Sequence, residues 1–126
     1  MLSADADDQF RVVCLQDKFP QGSLPTSDEI YADTNLAGIM TSLRNLKNTK
    51  RFKIHFDKVV GISGTNGSRY RYLNFYKKLN VKSEYDGTTG GVTQCKRNGF
   101  YIVVISEKNS PTHIFTSFCR VRFIDP

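Results

Sequence analysis

Between Arg44 and Val60 the chain reads RNLKNTKRFKIHFDKVV, with six Lys and Arg residues against a single carboxylate, Asp57. Its second half alternates, with Phe52, Ile54 and Phe56 on one side and Arg51, Lys53 and His55 on the other. Successive side chains of a strand point to opposite faces, so this pattern predicts a half-buried strand with aromatics inward and cations outward. A row of guanidinium, ammonium and imidazole groups suits the phosphates of a polyanion. A plainer alternative stands beside it: a solvated sheet face, or pairing with Asp57 and other acids. Arg44 and Lys50 flank the row in a polar loop. Near the C-terminus Arg120 and Arg122 repeat the arrangement, alternating with Cys119, Val121 and Phe123. Arg69-Tyr70-Arg71-Tyr72 places rings between cations, which suits single strands whose bases stack on aromatic side chains. The same tyrosines equally suit a core or a subunit interface.

Residue types for catalysis are present without the spacing that catalysis needs. His55 and His113 have no nucleophile and carboxylate at usable spacing, and no G-x-S-x-G elbow occurs. GISGTNG, residues 61–67, has the glycines of a phosphate loop but lacks its Lys-Ser/Thr ending, so a hairpin around Asn66-Gly67 is expected. Asp86 reads as a turn residue. Cys14, Cys95 and Cys119 are far apart, with no C-x-x-C pair, so no metal site is expected. Cys14 and Cys119 sit within apolar alternation and are expected as buried, reduced thiols suited to a reducing compartment. No enzymatic activity and no cofactor are expected.

The elements that must carry these residues follow from composition and punctuation. A chain of 126 residues, 39% hydrophobic and 24% charged, fits one globular domain. Its charge of +6 is uneven: residues 1–35 carry a net −5 and residues 36–126 a net +11. The cationic body points to phosphate-bearing or acidic partners. No apolar run reaches the roughly 18 residues of a membrane helix. Residues 1–8 have no apolar periodicity and are expected to be flexible or an appended remnant. Phe10 to Asp17 is apolar on both faces and predicts a strand covered on both sides. Thr26-Ser27-Asp28-Glu29-Ile30 has N-cap residue types and an acidic first turn, so a short helix is expected within 26–33. The rest of the connection to Lys50 reads as a long loop of the kind that carries contacts.

After Asn66-Gly67, the run from Arg69 to Tyr85 is extended. Its apolar parity shifts at Leu73, which marks a bulge or a break. Leu79, Val81 and Tyr85 continue one face. FYIVVI, Phe100–Ile105, predicts a central strand. Ile114 to Ile124 predicts the last strand, with Phe115, Cys119, Val121 and Phe123 on one side. Many short strands between Gly, Pro and Asn turns argue for an all-β sandwich or jelly roll.

Five segments, DKFPQGSLPT, RNLKNTKRFKIHFDKVV, KKLNVKSEYDG, NGFYIVVIS and FCRVRFIDP, occur in this order. Together they resemble the capsid proteins of circular, Rep-encoding single-stranded DNA viruses, a group that includes geminivirus-like and circovirus-like coats. The resemblance runs from about Arg11 to the C-terminus. It implies a single jelly roll of two four-stranded antiparallel sheets that self-assembles into an icosahedral shell around single-stranded DNA. Such proteins open with a basic arm and a strand ahead of the one at Phe10. Here those features are missing or replaced by acidic residues, so the chain is expected to be a truncated form or the ordered part of a larger protein. The resemblance further implies that the Arg51 strand and the last strand are neighbours in one sheet, with the Phe10 and Phe100 strands paired in the other.

The expectation is therefore one all-β jelly-roll domain over 1–126, with up to eight strands and at most a short helix. Its expected role is that of a capsid subunit, found in the virion and in the host nucleus during assembly. The expected partners are other copies of itself and a single-stranded DNA genome, with no membrane. Nucleic acid is expected on Arg51, Lys53, His55, Arg120, Arg122, Arg44 and Lys50. Phe52, Ile54, Phe56, Val121 and Phe123 are expected in one core. The rival is a stand-alone β-sandwich module that binds single-stranded nucleic acid. A carbohydrate- or ligand-binding jelly roll fits less well, because the loops are rich in Ser, Thr, Gly and Asn rather than in clustered aromatics and acids.

Overall fold

The computed structural model describes residues 1–3, 8–33, 35, 38–63, 70–108 and 114–124. It is an all-β sandwich with one short α-helix, as the alternating segments predict. Strand β1 is Leu2–Ser3, β2 is Asp8–Asp17 and helix α1 is Ser27–Ile30. β3 is Phe52–Ile62, β4 is Tyr70–Arg71, β5 is Glu84–Tyr85 and β6 is Cys95–Arg97. β7 is Gly99–Ser106 and β8 is Ile114–Phe115. One antiparallel sheet has the order β3-β2-β7 and a second has the order β4-β1-β8, while β5 and β6 form a separate ribbon.

β2 is the central strand of the larger sheet, and its residues explain why. Val13 and Leu15 point to one face and are fully buried, while Phe10 and Val12 point to the other and are also buried. A strand that is apolar on both sides is most stable between two neighbours with cover above and below. The first face packs against Ile30, Tyr31, Ile39 and Met40 of the 27–51 excursion. The second packs against Leu2, Ile62 and Leu73, which brings β1 of the smaller sheet over it.

Several expectations change here. The Phe10 and Phe100 strands do pair, with Cys14 opposite Ile102, but the Arg51 strand joins the same sheet on the other side of β2. β7 is thus an edge strand among the described residues, and Phe100 and Ile102 stay 37% and 41% exposed rather than covered. Only Ile114 and Phe115 of the expected last strand form a ladder, and that ladder is with β1. Val121 and Phe123 are exposed and belong to no core. Leu2 is buried at the N-terminal end, so residues 1–3 are part of the fold. Leu79, Val81 and Tyr85 are exposed rather than one buried face. The Asn66-Gly67 hairpin falls on residues outside those described. Cys95 is the buried thiol, whereas Cys14 is half-buried and Cys119 exposed.

The 19–50 connection is a cap over the first face more than a free loop. Helix α1 starts where expected, and the Glu29 carboxylate accepts the Thr26 amide at 3.0 Å, one half of a capping box. Asn45 and Asn48 donate side-chain hydrogen bonds to the Asp28 and Glu29 carbonyls, which satisfies acceptors at the helix end.

Two ion-pair networks pin the cap down. In the first, Arg11 holds Asp57 through Nε and Nη2, both at 2.8 Å, while Nη1 donates to the Ile39 and Ser42 carbonyls. The Tyr31 hydroxyl donates to Asp57 Oδ2 at 3.0 Å, and the guanidinium lies 3.8 Å over the Tyr31 ring. Burial raises the Tyr31 phenol well above its usual range, so it stays a donor at any ordinary pH. Burial pushes the Asp57 carboxyl up, but hydrogen bonds from Arg11 and Tyr31 outweigh that and hold it below the usual range.

That direction sets an acid limit on stability. With the Asp57 carboxyl more acidic in the folded state, the unfolded chain binds more protons, so stability rises with pH through this window. The contribution is complete above the unfolded value of about 3.9 and disappears as pH falls through the lower folded value. Urea midpoints measured against pH should be level above about pH 5 and drop below about pH 4. In Asp57→Asn the drop should be shallower and should start from a lower plateau.

Candidate nucleic-acid interface

The strand that carries the basic row changes parity halfway along. Cys14 of β2 lies opposite Phe56 and the next residue, Leu15, lies opposite Ile54, so His55 is an extra residue in β3. Such a bulge puts two residues of one strand against one of its neighbour and flips the faces beyond it. Phe52 and Ile54 consequently join the first core with Leu15, while Phe56 crosses to the second with Phe10 and Val12. Asp57 moves the other way, onto the first face, where Arg11 and Tyr31 meet it.

Arg51 precedes the strand and turns inward, which corrects the outward cation expected there. Its guanidinium is held by Asp17, with Nη2 to Oδ2 at 2.8 Å and Nε within 3.1 Å of both oxygens. Nη1 reaches Glu29 Oε1 at 2.9 Å, and the group stacks 4.5 Å over the Phe52 ring. Arg51 is 8% exposed and Asp17 fully buried. A cation so enclosed and doubly neutralised is not available to a phosphate. The hydrogen bonds it donates to Asp17 raise its pKa further.

Lys53 and His55 do share the opposite face. His55 Nε2 lies 3.0 Å from Gln16 Oε1, and Gln16 Nε2 donates to Asn98 Oδ1 at 2.7 Å. Asn98 Nδ2 in turn donates to the Lys82 carbonyl at 2.6 Å. A carbonyl can only accept, so the chain of bonds runs one way, and it assigns the proton on neutral His55 to Nε2. Asn98 is held in a left-handed turn, φ 56°, between β6 and β7. Burial, then the nearby charges of Lys53 and Lys77, keep His55 below its ordinary value, so it is neutral at pH 7.

Lys77 comes from the extended segment 72–83, which crosses this face without joining a ladder. Leu73 packs into the second core, and Phe75 stacks on Phe56 with centroids 4.7 Å apart. At the far end Ser83 donates to the Asn98 carbonyl at 2.8 Å. The segment therefore brings Lys77 to the His55 end of the sheet. Phe100 of β7 lies there too, its ring 6.2 Å from that of His55. Phe100 is also among the residues that line a half-open pocket of about 190 Å³ with Tyr85, Val92, Cys95 and Tyr101.

The remaining expected residues lie elsewhere in the chain. Arg44 is exposed and bridges Tyr31 in the cap, and Lys50 is exposed in the turn before β3. Arg120 and Arg122 are exposed in the segment after β8, on no strand paired with β3. The Cys119 thiol is close enough to Cys14 to add to the rise that burial causes in the Cys14 pKa. That segment thus passes near the same face without docking on it. Lys77 and Phe100 were not singled out from sequence. Both stand in runs whose local pattern reads only as strand, and their meeting depends on segment 72–83 crossing the sheet.

Among the described residues no group of three or more His, Cys, Asp or Glu side chains is arranged to hold a metal ion. The chain matches no protein-family model, and no curated protein matches it.

Proposed function

We propose that this chain is a structural subunit, a jelly-roll capsid protein that self-assembles into a shell around single-stranded DNA. The observation that carries the reading is the large apolar side chains left in water along segments with no strand partner among the described residues. Phe118, Phe123 and Ile124 are 98%, 81% and 96% exposed. Isolated exposed hydrophobics are ordinary, but a cluster on an extended segment with unpaired backbone groups favours adding a strand to another chain. The edges of β3 and β7 are open among the described residues and supply ladders for such pairing. Tyr72 and Tyr76 on the crossing segment, and Leu43 and Leu46 on the cap, add further apolar contact area. In this reading the partners are copies of the same chain and a single-stranded genome. The protein works in the virion and, during assembly, in the host nucleus.

Light scattering and negative-stain microscopy across salt and pH provide the test. The expected result is a concentration-dependent high-mass species that forms closed particles. A chain that stays monomeric under every condition removes the shell reading. The second reading, a stand-alone single-stranded nucleic-acid-binding module, is favoured by the cluster of Lys53, Lys77 and the exposed Phe100 ring. It would take over if the monomer binds oligonucleotide and never assembles.

A further inference from the structure

We infer that the His55 end of the larger sheet is a single-stranded nucleic-acid site, in which Lys53 and Lys77 hold successive phosphates and Phe100 carries a base. This deepens the reading above and rests on its assignment of a nucleic-acid partner. It replaces the arginines that the sequence suggested with a lysine pair and an aromatic ring.

Three observations converge on the site. The first is charge without internal neutralisation. Arg11 and Arg51 are consumed by Asp57, Asp17 and Glu29, whereas neither Lys53 nor Lys77 is ion-paired among the described residues. Both are exposed, Lys53 two residues from His55 on β3 and Lys77 two residues beyond Phe75, whose ring stacks on Phe56, so two separate elements bring a lysine to this end of the sheet. Uncompensated like charges brought together repel, and an arriving anion relieves that repulsion.

The second observation is a flat apolar surface beside the charge. Phe100 is 37% exposed at a sheet position where its neighbours on β2 are Gln16 and Cys14 rather than large apolar groups. Aromatic rings beside a cationic track are how proteins hold single strands, because every base has a face to stack.

The third observation is rigidity. The Lys82–Asn98–Gln16–His55 chain ties segment 72–83, the β6–β7 turn, β2 and β3 together beneath the site. Lys53 and Phe100 therefore sit on laddered strands, and the segment that carries Lys77 is tied to them at Lys82 and Ser83.

A short fluorescein-labelled oligothymidine, followed by anisotropy over a salt series, reads each part separately. Lys53→Gln with Lys77→Gln should flatten the dependence of log affinity on log salt by about 1.4. Lys47→Gln with Lys50→Gln removes the same charge from the cap on the opposite face and should leave the slope at the wild-type value. Phe100→Leu should keep the slope and weaken binding about 5- to 150-fold, the range for losing one stacked base. A duplex of the same length, whose base faces are hidden, should show no Phe100 dependence. Matched thermal melts establish that the variants are folded. An unchanged slope in the Lys53/Lys77 variant overturns the site, and particles formed by that variant would leave the shell reading standing. Equal losses in the two lysine pairs, or a Phe100→Leu variant that binds as the wild type, reduce the face to diffuse positive charge and overturn the inference. Wild-type protein that assembles but binds no oligothymidine overturns the site alone. Protein that does neither overturns both.

Discussion

Arg51→Ala should destabilise the fold by about 3–5 kcal/mol, a large part of the 5–15 kcal/mol that holds a typical domain together. The reason is what the substitution leaves behind. Asp17 is fully buried, and Arg51 is its ion-pair partner; removing the guanidinium strands a carboxylate away from water. Glu29 suffers less, because its side chain is partly exposed and still accepts the Thr26 amide. The melting midpoint should fall by roughly 10–25 °C for a chain of this size. Replacing Asp17 and Arg51 together by apolar residues of similar volume should recover much of the loss, since no buried charge then remains unpaired. A melt unchanged by Arg51→Ala, with oligonucleotide binding lost instead, would return Arg51 to the surface role its sequence position suggested.

Leu15→Ala is the second large effect, expected at about 2–5 kcal/mol. Leu15 is completely buried in the middle of β2, where the cap residues Ile30, Tyr31, Ile39 and Met40 close the first core around it. A cavity there has rigid walls, since the Arg11 and Arg51 networks keep the cap from collapsing inward. Phe56→Ala removes a larger side chain and should nonetheless cost less. Phe56 is only half-buried at the margin of the second core, and one face of its ring is covered by Phe75, on a segment with no ladder to hold it. Water or a shift of segment 72–83 can fill the space. Urea titrations of the two variants should therefore rank Leu15→Ala as the more damaging. The reverse order would mean that the second core, and not the first, dominates stability.

Both effects show why the basic row could be found in the sequence but not interpreted there. Alternation is a local property, so an all-β chain, the strand at Arg51, the helix at Ser27 and the doubly apolar β2 were legible from patterning alone. Which neighbour each strand takes is not local. The Phe100 run is as apolar as a central strand, yet among the described residues it lies at an edge, because β2 presents two buried faces and occupies the middle.

The fate of each cation was settled at longer range still. Arg51 and Lys53 are two residues apart and look equivalent in sequence. Arg51 meets Asp17, 34 positions away, and is buried, while Lys53 meets no acid among the described residues. The single extra residue at His55 sent Asp57 to the Arg11 side and Phe56 to the other, a change of face that no alternating pattern can signal. Residue types and periodicity thus determined which segments become strands and that the chain carries excess positive charge. The tertiary structure decided which charges are spent inside and which remain at the surface. That decision rests on pairing between residues far apart in sequence and on one bulge that resets the side-chain register.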